Sequence, residues 1–219
     1  MVNLTRIYTR TGDAGSTRLA DMSATSKTDP RVEAYGSIDE ANSLIGVAMA
    51  AGHLPEGIVE VLGEIQNELF DVGADLGTPV VPDPEWPPLR IEQGSIDRLE
   101  RWCDQFGESL APLVSFIIPG GTPAAAWLHL ARTVVRRAER AGWVAAESVG
   151  LAGPDQPAGG VNPAALTYLN RLSDLLFILA RAANTDDGDV LWLPGKDREP
   201  ADPKAQRQRQ RIRQHDPRG

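Results

Sequence analysis

The sequence predicts an all-α fold, a five-helix antiparallel bundle, on three observations. Apolar residues recur with a period near 3.6 in five stretches. Three of those stretches open with the same device, a side-chain cap followed by proline at the first helical position: Asp29-Pro30, Thr122-Pro123 and Asn162-Pro163. The links between stretches are short or rich in proline and glycine, and two of them, TPVVPDPEWPPL and LAGPDQPAGGV, forbid regular structure. Helices joined in this way fold back beside one another.

The first helix is expected over 30–52. Proline loses nothing at its first position, where the N–H would have no helical partner, and the Asp29 side chain satisfies a neighbouring orphan donor. Asp39 lies beside Asn42 and Ser43 on the less apolar face. Gly36 and Gly46 sit inside the helix at a cost of up to ~1 kcal/mol each relative to alanine. Glycines there point to the close approach of another helix or chain, so Asp39 is expected at a contact, opposite an arginine. The second and third helices are expected over 55–77 and 92–110.

The fourth helix is expected over 123–148. Trp127, Leu128, Ala131, Val134, Val135 and Ala138 form its core side. His129, Arg132, Arg136, Glu139 and Arg140 fall within an arc of about 100°. The fifth, over 163–186, buries Leu172, Leu175, Leu176, Leu179 and Ala183 and lines up Asn170, Asp174 and Arg181 on the opposite stripe. An amide, a carboxylate and guanidinium groups on adjoining helices offer donors for phosphate and sugar hydroxyls, the alternative being solvated faces laced with ion pairs.

Ahead of the bundle stands a polar segment, Thr9 to Lys27, that begins TRTGDAGST. Gly12 and Gly15 free the backbone to turn successive N–H groups into one concavity, which is how a phosphate is cradled. No Gly-Lys-Ser/Thr follows, so it is not a Walker loop. A mobile N-terminus rich in turn residues is the alternative.

At 219 residues and 42% hydrophobic, the chain suits one domain with a sizeable core. Its single cysteine, Cys103, rules out an internal disulfide framework and a cysteine zinc site. The start, MVNLTRIYTR, lacks a signal-peptide pattern, and apolar runs such as LLFILA are too short to span a bilayer, so a soluble, cytoplasmic protein is expected. The net charge of −8 is uneven: residues 196–219 carry eight Lys and Arg against four Asp and Glu. An acidic body argues against nucleic-acid binding, and the basic tail is expected to be solvated and disordered.

Five segments together, TRTGDAGST, DPRVEAYGSIDEANS, FIIPGGT, ARTVVRRAER and NRLSD, resemble the PduO-type ATP:cob(I)alamin adenosyltransferases, in family order and from Thr9 to Asn184. The resemblance implies a homotrimer with ATP and cobalamin bound at subunit interfaces. It implies transfer of the 5'-deoxyadenosyl group of ATP to cob(I)alamin with release of triphosphate, Mg²⁺ helping to hold the phosphates. On this basis residues 1–28 are an ATP-binding segment that orders on binding, 29–195 the catalytic bundle and 196–219 the tail. Thr9, Arg10, Thr11, Gly12, Gly15 and Thr17 are assigned to the polyphosphate loop, with Lys27 as a point charge on it. Arg136, Arg137, Ala138, Glu139, Arg140 and Asn170 complete the nucleotide site, Arg136 facing phosphate and Glu139 and Asn170 the sugar or base. Asp39 and Arg132 match an inter-subunit ion pair. Phe116 of FIIPGGT matches an aromatic that crowds the lower face of the corrin and leaves cobalt four-coordinate. No metal ligand is assigned.

The implied chemistry fits what the sequence lacks. There is no Ser/His/Asp set and no base beside Cys103, and displacement by Co(I) at a primary carbon needs neither, because the metal brings its own electron pair. A reductase that supplies cob(I)alamin and a cobalamin-dependent acceptor enzyme are the partners such a reaction calls for. A non-catalytic trimer that senses ATP or delivers adenosylcobalamin is the rival, and the corrin-facing Phe116 counts against it.

Overall fold

The computed structural model describes residues 8, 10–156, 158–184 and 188–194 of the chain. Thr9 and the 196–219 tail lie outside them, as does the state of that tail. Five helices appear: α1 (Pro30–Ala51), α2 (Glu56–Leu76), α3 (Gln93–Gly107), α4 (Pro123–Val149) and α5 (Pro163–Ala182). The three expected caps are formed. The side chain of Asp29 accepts from Arg31 N, that of Thr122 from Ala125 N and that of Asn162 from Ala164 N.

Two helices end earlier than the periodicity predicts. At the end of α3, Leu110 N turns back to Gly107 O at 3.0 Å. After α5 the side chain of Asn184 is taken by another segment: its Oδ1 accepts from Thr122 N (2.8 Å) and its Nδ2 donates to Gly120 O (2.9 Å). The Pro-Gly-Gly turn fits this clamp because Gly121 has φ +107° and a Cβ there would meet Asn184 Oδ1 at 2.1 Å. One asparagine thereby fixes the start of α4 against the end of α5.

The polar head differs from the purely loop-like segment predicted. It contains an antiparallel hairpin, β1 (Ser16–Arg18) and β2 (Ala24–Ser26), in which Thr17 pairs with Thr25. Each strand has three residues and no apolar alternation, so periodicity gave no signal for it. The turn between them is locked by Asp21, whose Oδ1 accepts from Ser23 N and Oγ, while Leu19 N bonds Ser23 O. Leu19 is buried and Ala20 N donates to Gly77 O at 3.0 Å, which docks the hairpin on the end of α2.

In the bundle α4 packs between α1 and α5; α2 covers the far side of α1, and α3 the far side of α5. The core is aliphatic, with Leu62, Ile65, Leu69, Leu128, Val135, Leu172 and Leu176 inaccessible or nearly so. Beneath α2 lies a buried polar knot that periodicity did not reveal. Arg31, 3% exposed, donates to Leu76 O, Gly159 O and Gly160 O, and Asp75, 1% exposed, accepts from Arg90, Ile91 N and Asn162. No helix among the described residues is long and apolar enough to cross a membrane.

Candidate functional site

The predicted site residues fall into two groups on different elements of the chain. The first is on the hairpin side. Gly15 has φ +86°, a conformation that favours glycine, and its N–H bonds Gly12 O while its carbonyl accepts from Lys27 N. Lys27 Nζ lies 3.2 Å from where a Cβ would stand on Gly12, so the lysine closes over the turn. Arg10 adopts φ 62° with its guanidinium 5.7 Å from the centre of the Tyr8 ring. Thr17 hydrogen-bonds Tyr35, whose phenol is pushed up mainly by burial. Thr11, Gly12, Gly15 and Lys27 thus share one polar turn that rests on α1 and α2.

Beside the hairpin runs an open groove between α1 and α2. A cavity of about 460 Å³ is lined by Arg18, Tyr35, Gly36, Asp39, Asn42 and Phe70, among others. A second, of about 510 Å³, adjoins it through Asp39, Asn42 and Phe70. Gly36 faces open space, whereas Gly46 marks a close approach, a Cβ there coming within 3.3 Å of Gln66. Asp39 is exposed and makes no ion pair within the described residues of the chain; Phe70 is 70% exposed.

The second group lies on α4 and α5. Glu139 accepts from Asn170 Nδ2 at 3.1 Å, joining the two helices at the residues assigned to sugar or base. Asn170 Oδ1 accepts from Arg171, which is held in turn by Glu100 of α3. Arg136 is exposed with no ion pair among the described residues, Arg140 donates to its carbonyl at 3.0 Å, and Arg137 pairs with Glu40 of α1. Arg132 is half-buried, its guanidinium 5.9 Å from the centre of the Phe177 ring; burial, then repulsion from Arg136, makes it less basic than usual. Arg132 and Arg136 thus stand near one another, and neither makes an ion pair among the described residues.

Ala138 is wholly buried among core residues, on the core side of α4 where the periodicity puts it. Two sequence expectations are corrected here. His129 shares the angle of the arginine arc but does not offer a polar group at its surface; it is 2% exposed, packed edge-on to Phe177 at 6.0 Å. Arg181 is engaged in structure: it pairs with Asp189 at 2.8 Å and donates to Ala111 O.

Phe116 stands apart from both groups, 79% exposed on the segment before α4. That segment is held by residues beyond α5: Ile118 N donates to Val190 O, Trp192 N donates to Phe116 O, and the Trp192 ring meets Phe116 edge-on at 6.2 Å. Val114, at 86% exposure, extends the apolar surface. Trp192 was missed by the sequence reading; its one signal is the apolar run VLWL after the last helix. Cys103 is poorly suited to nucleophilic work, because burial and then the carboxylates of Asp174, Asp104 and Glu100 push its thiol up to about 11. Among the described residues no cluster of three His, Cys, Asp or Glu stands ready to hold a metal.

Residues 7–183 match the family model described as cobalamin adenosyltransferase. The corrinoid adenosyltransferase of Mycobacterium tuberculosis is 59% identical over 197 residues, covering 90% of this chain and 97% of the relative. Among solved structures, a phenylalanine-to-alanine variant of the PduO-type ATP:corrinoid adenosyltransferase from Lactobacillus reuteri, complexed with cobalamin and ATP, superposes with a TM-score of 0.75. It is 36% identical and covers 86% of this chain and all of its own. An arginine-to-lysine variant of the same enzyme, complexed with ATP, gives a TM-score of 0.73 at 35% identity with the same coverage. With its five helices, its divided polar site and a match over most of its length, the chain belongs to the cobalamin adenosyltransferase family.

Proposed function

We propose that this protein transfers the 5'-deoxyadenosyl group of ATP to cob(I)alamin at sites formed between subunits of a homotrimer. The observation that carries this reading is the division of the polar residues. The glycine turn and Lys27 rest on α1 and α2, the arginine arc and Asn170 on α4 and α5. Neither group by itself encloses a nucleotide, and copies joined head to tail, the arrangement that closes into rings, would bring the two groups together. Binding of cobalamin and ATP by the related structures supports the choice of substrates.

In the reaction Co(I) attacks C5' of ATP, a Co–C bond forms, the C5'–O bond breaks, and its electron pair leaves with triphosphate. The protein needs no base. Its turn N–H groups, Lys27 and Arg136 take up charge on the departing phosphates, where fixed donors in a water-poor site act most strongly. Glu139 and Asn170, already hydrogen-bonded, present a fixed edge to the ribose or adenine. Mg²⁺ would supply charge neutralisation for the phosphates, and Thr11 and Ser16, both exposed in the polar head, would be the oxygen donors to hold it. A cytoplasmic reductase that supplies cob(I)alamin and an enzyme that uses adenosylcobalamin complete the setting.

The test is an anaerobic assay with chemically reduced cobalamin and Mg-ATP, read by the visible spectrum and by triphosphate release. One Co–C bond per triphosphate is expected. Bound ATP with no adenosylcobalamin formed would instead favour a sensing or delivery trimer.

Phe116 should matter to the corrin and not to ATP. Being largely exposed, it contributes little to folding, so Phe116→Ala should leave the melting temperature unchanged. If it crowds the lower face of the corrin, the variant should lose at least about tenfold in turnover from Co(II) under a weak reductant, ~1.4 kcal/mol in barrier. The KM for ATP should not move. Full turnover under that reductant would remove Phe116 from the corrin site.

A further inference from the structure

Buried polar atoms almost always find a hydrogen-bond partner, and those that do not cluster at places where function outweighs stability. Here two such residues are neighbours on α4. Among the described residues neither Nδ1 nor Nε2 of His129 has a partner, and Arg132 Nε has none. His129 is 2% exposed, one helical turn before Arg132, and both lean on the same ring, the imidazole edge-on to Phe177 and the guanidinium over its face.

The chemistry of the pair is complementary. A neutral imidazole offers one acceptor nitrogen and one N–H, and the Arg132 Nε–H is a donor in want of an acceptor. Burial, then the charge of Arg132, shifts the imidazole toward its neutral form, while Asp189 pulls the other way; Asp189 is itself bound to Arg181 of α5. No other charged group is recorded as acting on His129. A hydrophobic residue would fill this position without leaving two polar atoms unpaired, so packing alone does not account for histidine.

We propose that His129 is a positioning residue for Arg132: it supplies the acceptor that the Arg132 Nε–H takes when the site assembles, and so aims the guanidinium tip. The inference rests on the proposed role of Arg132 at the subunit boundary and assigns His129 no contact with substrate. Its signature is a separation of stability from turnover. Removing an unsatisfied buried polar group in favour of an apolar one of similar shape is neutral or stabilising, whereas losing the aim of Arg132 slows catalysis.

The experiment measures kcat, KM for ATP and melting temperature for the assembled enzyme and for His129→Phe, His129→Leu, His129→Gln and Arg132→Ala. His129→Phe or His129→Leu should melt at or above the parent temperature yet lose at least about tenfold in kcat, with KM for ATP within about twofold. His129→Gln, which keeps an acceptor, should recover part of the loss. If Arg132→Ala is slow while a folded apolar variant at 129 turns over at the parent rate, the positioning role is wrong and the reading of Arg132 stands. Melting temperatures that fall in both apolar variants would make the imidazole a packing group and overturn the proposal. Parent turnover in Arg132→Ala would overturn both.

Discussion

Replacing Asp75 with alanine should lower the free energy of unfolding by about 3–5 kcal/mol, a cost typical of breaking a buried pair on one side. The Asp75 side chain is fully inaccessible. Its Oδ1 takes Arg90 Nη1 at 2.6 Å, and its Oδ2 takes Ile91 N at 2.8 Å and Asn162 Nδ2 at 2.7 Å. Three separate pieces of chain meet on this carboxylate: the end of α2, the approach to α3 and the cap of α5. Alanine leaves the Arg90 guanidinium without its counter-charge and Ile91 N–H without its acceptor, while Asn162, which caps α5, keeps Ile91 O as the one acceptor of its Nδ2. Arg90 still holds the carbonyls of Thr78 and Pro79, so its charge stays where it is. For a chain of this size the loss should appear as a fall of roughly 6–20 °C in melting temperature, compared at equal protomer concentration. The double variant Asp75→Ala with Arg90→Ala should be less damaging than the sum of the two singles, because removing both partners leaves no stranded charge. A loss below about 1 kcal/mol in Asp75→Ala would show that the knot is solvated and not structural.

That knot also shows where the sequence is silent. Asp29, Thr122 and Asn162 were legible as caps because capping acts over two or three residues, and the chain carries the whole interaction within that span. The five helices were legible for the same reason, since a 3.6-residue period is a local property. Asp75 and Arg90 are separated by a proline-rich loop, and Asn162 lies far beyond both, so only the folded chain makes them partners. His129 was misplaced by a purely angular argument: it lies near the edge of the arginine arc, but Phe177 of the neighbouring helix closes over it. Ala138 was legible as a core residue, because its helical angle is opposite the arginine arc. The hairpin escaped notice because three-residue strands such as STR and ATS carry no periodic signal; they are held by a turn and by docking at Leu19 and Gly77. Of the candidate site, the residue types were readable in the sequence. Their division between two faces was not, because a single chain gives no hint of which groove its polar stretches will reach.

Asp39→Ala and Arg132→Ala should each slow adenosyl transfer by on the order of 100-fold, the cost of misplacing a reacting group by about 1 Å. Asp39 lines the groove between α1 and α2 and makes no ion pair within the described chain, while Arg132 leans on Phe177 of α5. A carboxylate on one groove and an arginine on another meet if copies join head to tail, and the proposed trimer pairs them across a subunit boundary. Since neither residue has a charged partner among the described residues, the isolated subunit should fold as before, and the single variants should lose rate and assembly without losing helical content. A charge swap, Asp39→Arg with Arg132→Asp, separates the pair from its members. If the swap restores the trimer and part of the rate, the attraction itself holds the boundary. A swap that restores the trimer but stays as slow as Arg132→Ala gives Arg132 a second task, beside the phosphates, that aspartate cannot perform. Should both single variants turn over at the parent rate as intact trimers, the two half-sites do not meet through these residues, and the inter-subunit site proposed for this chain is wrong.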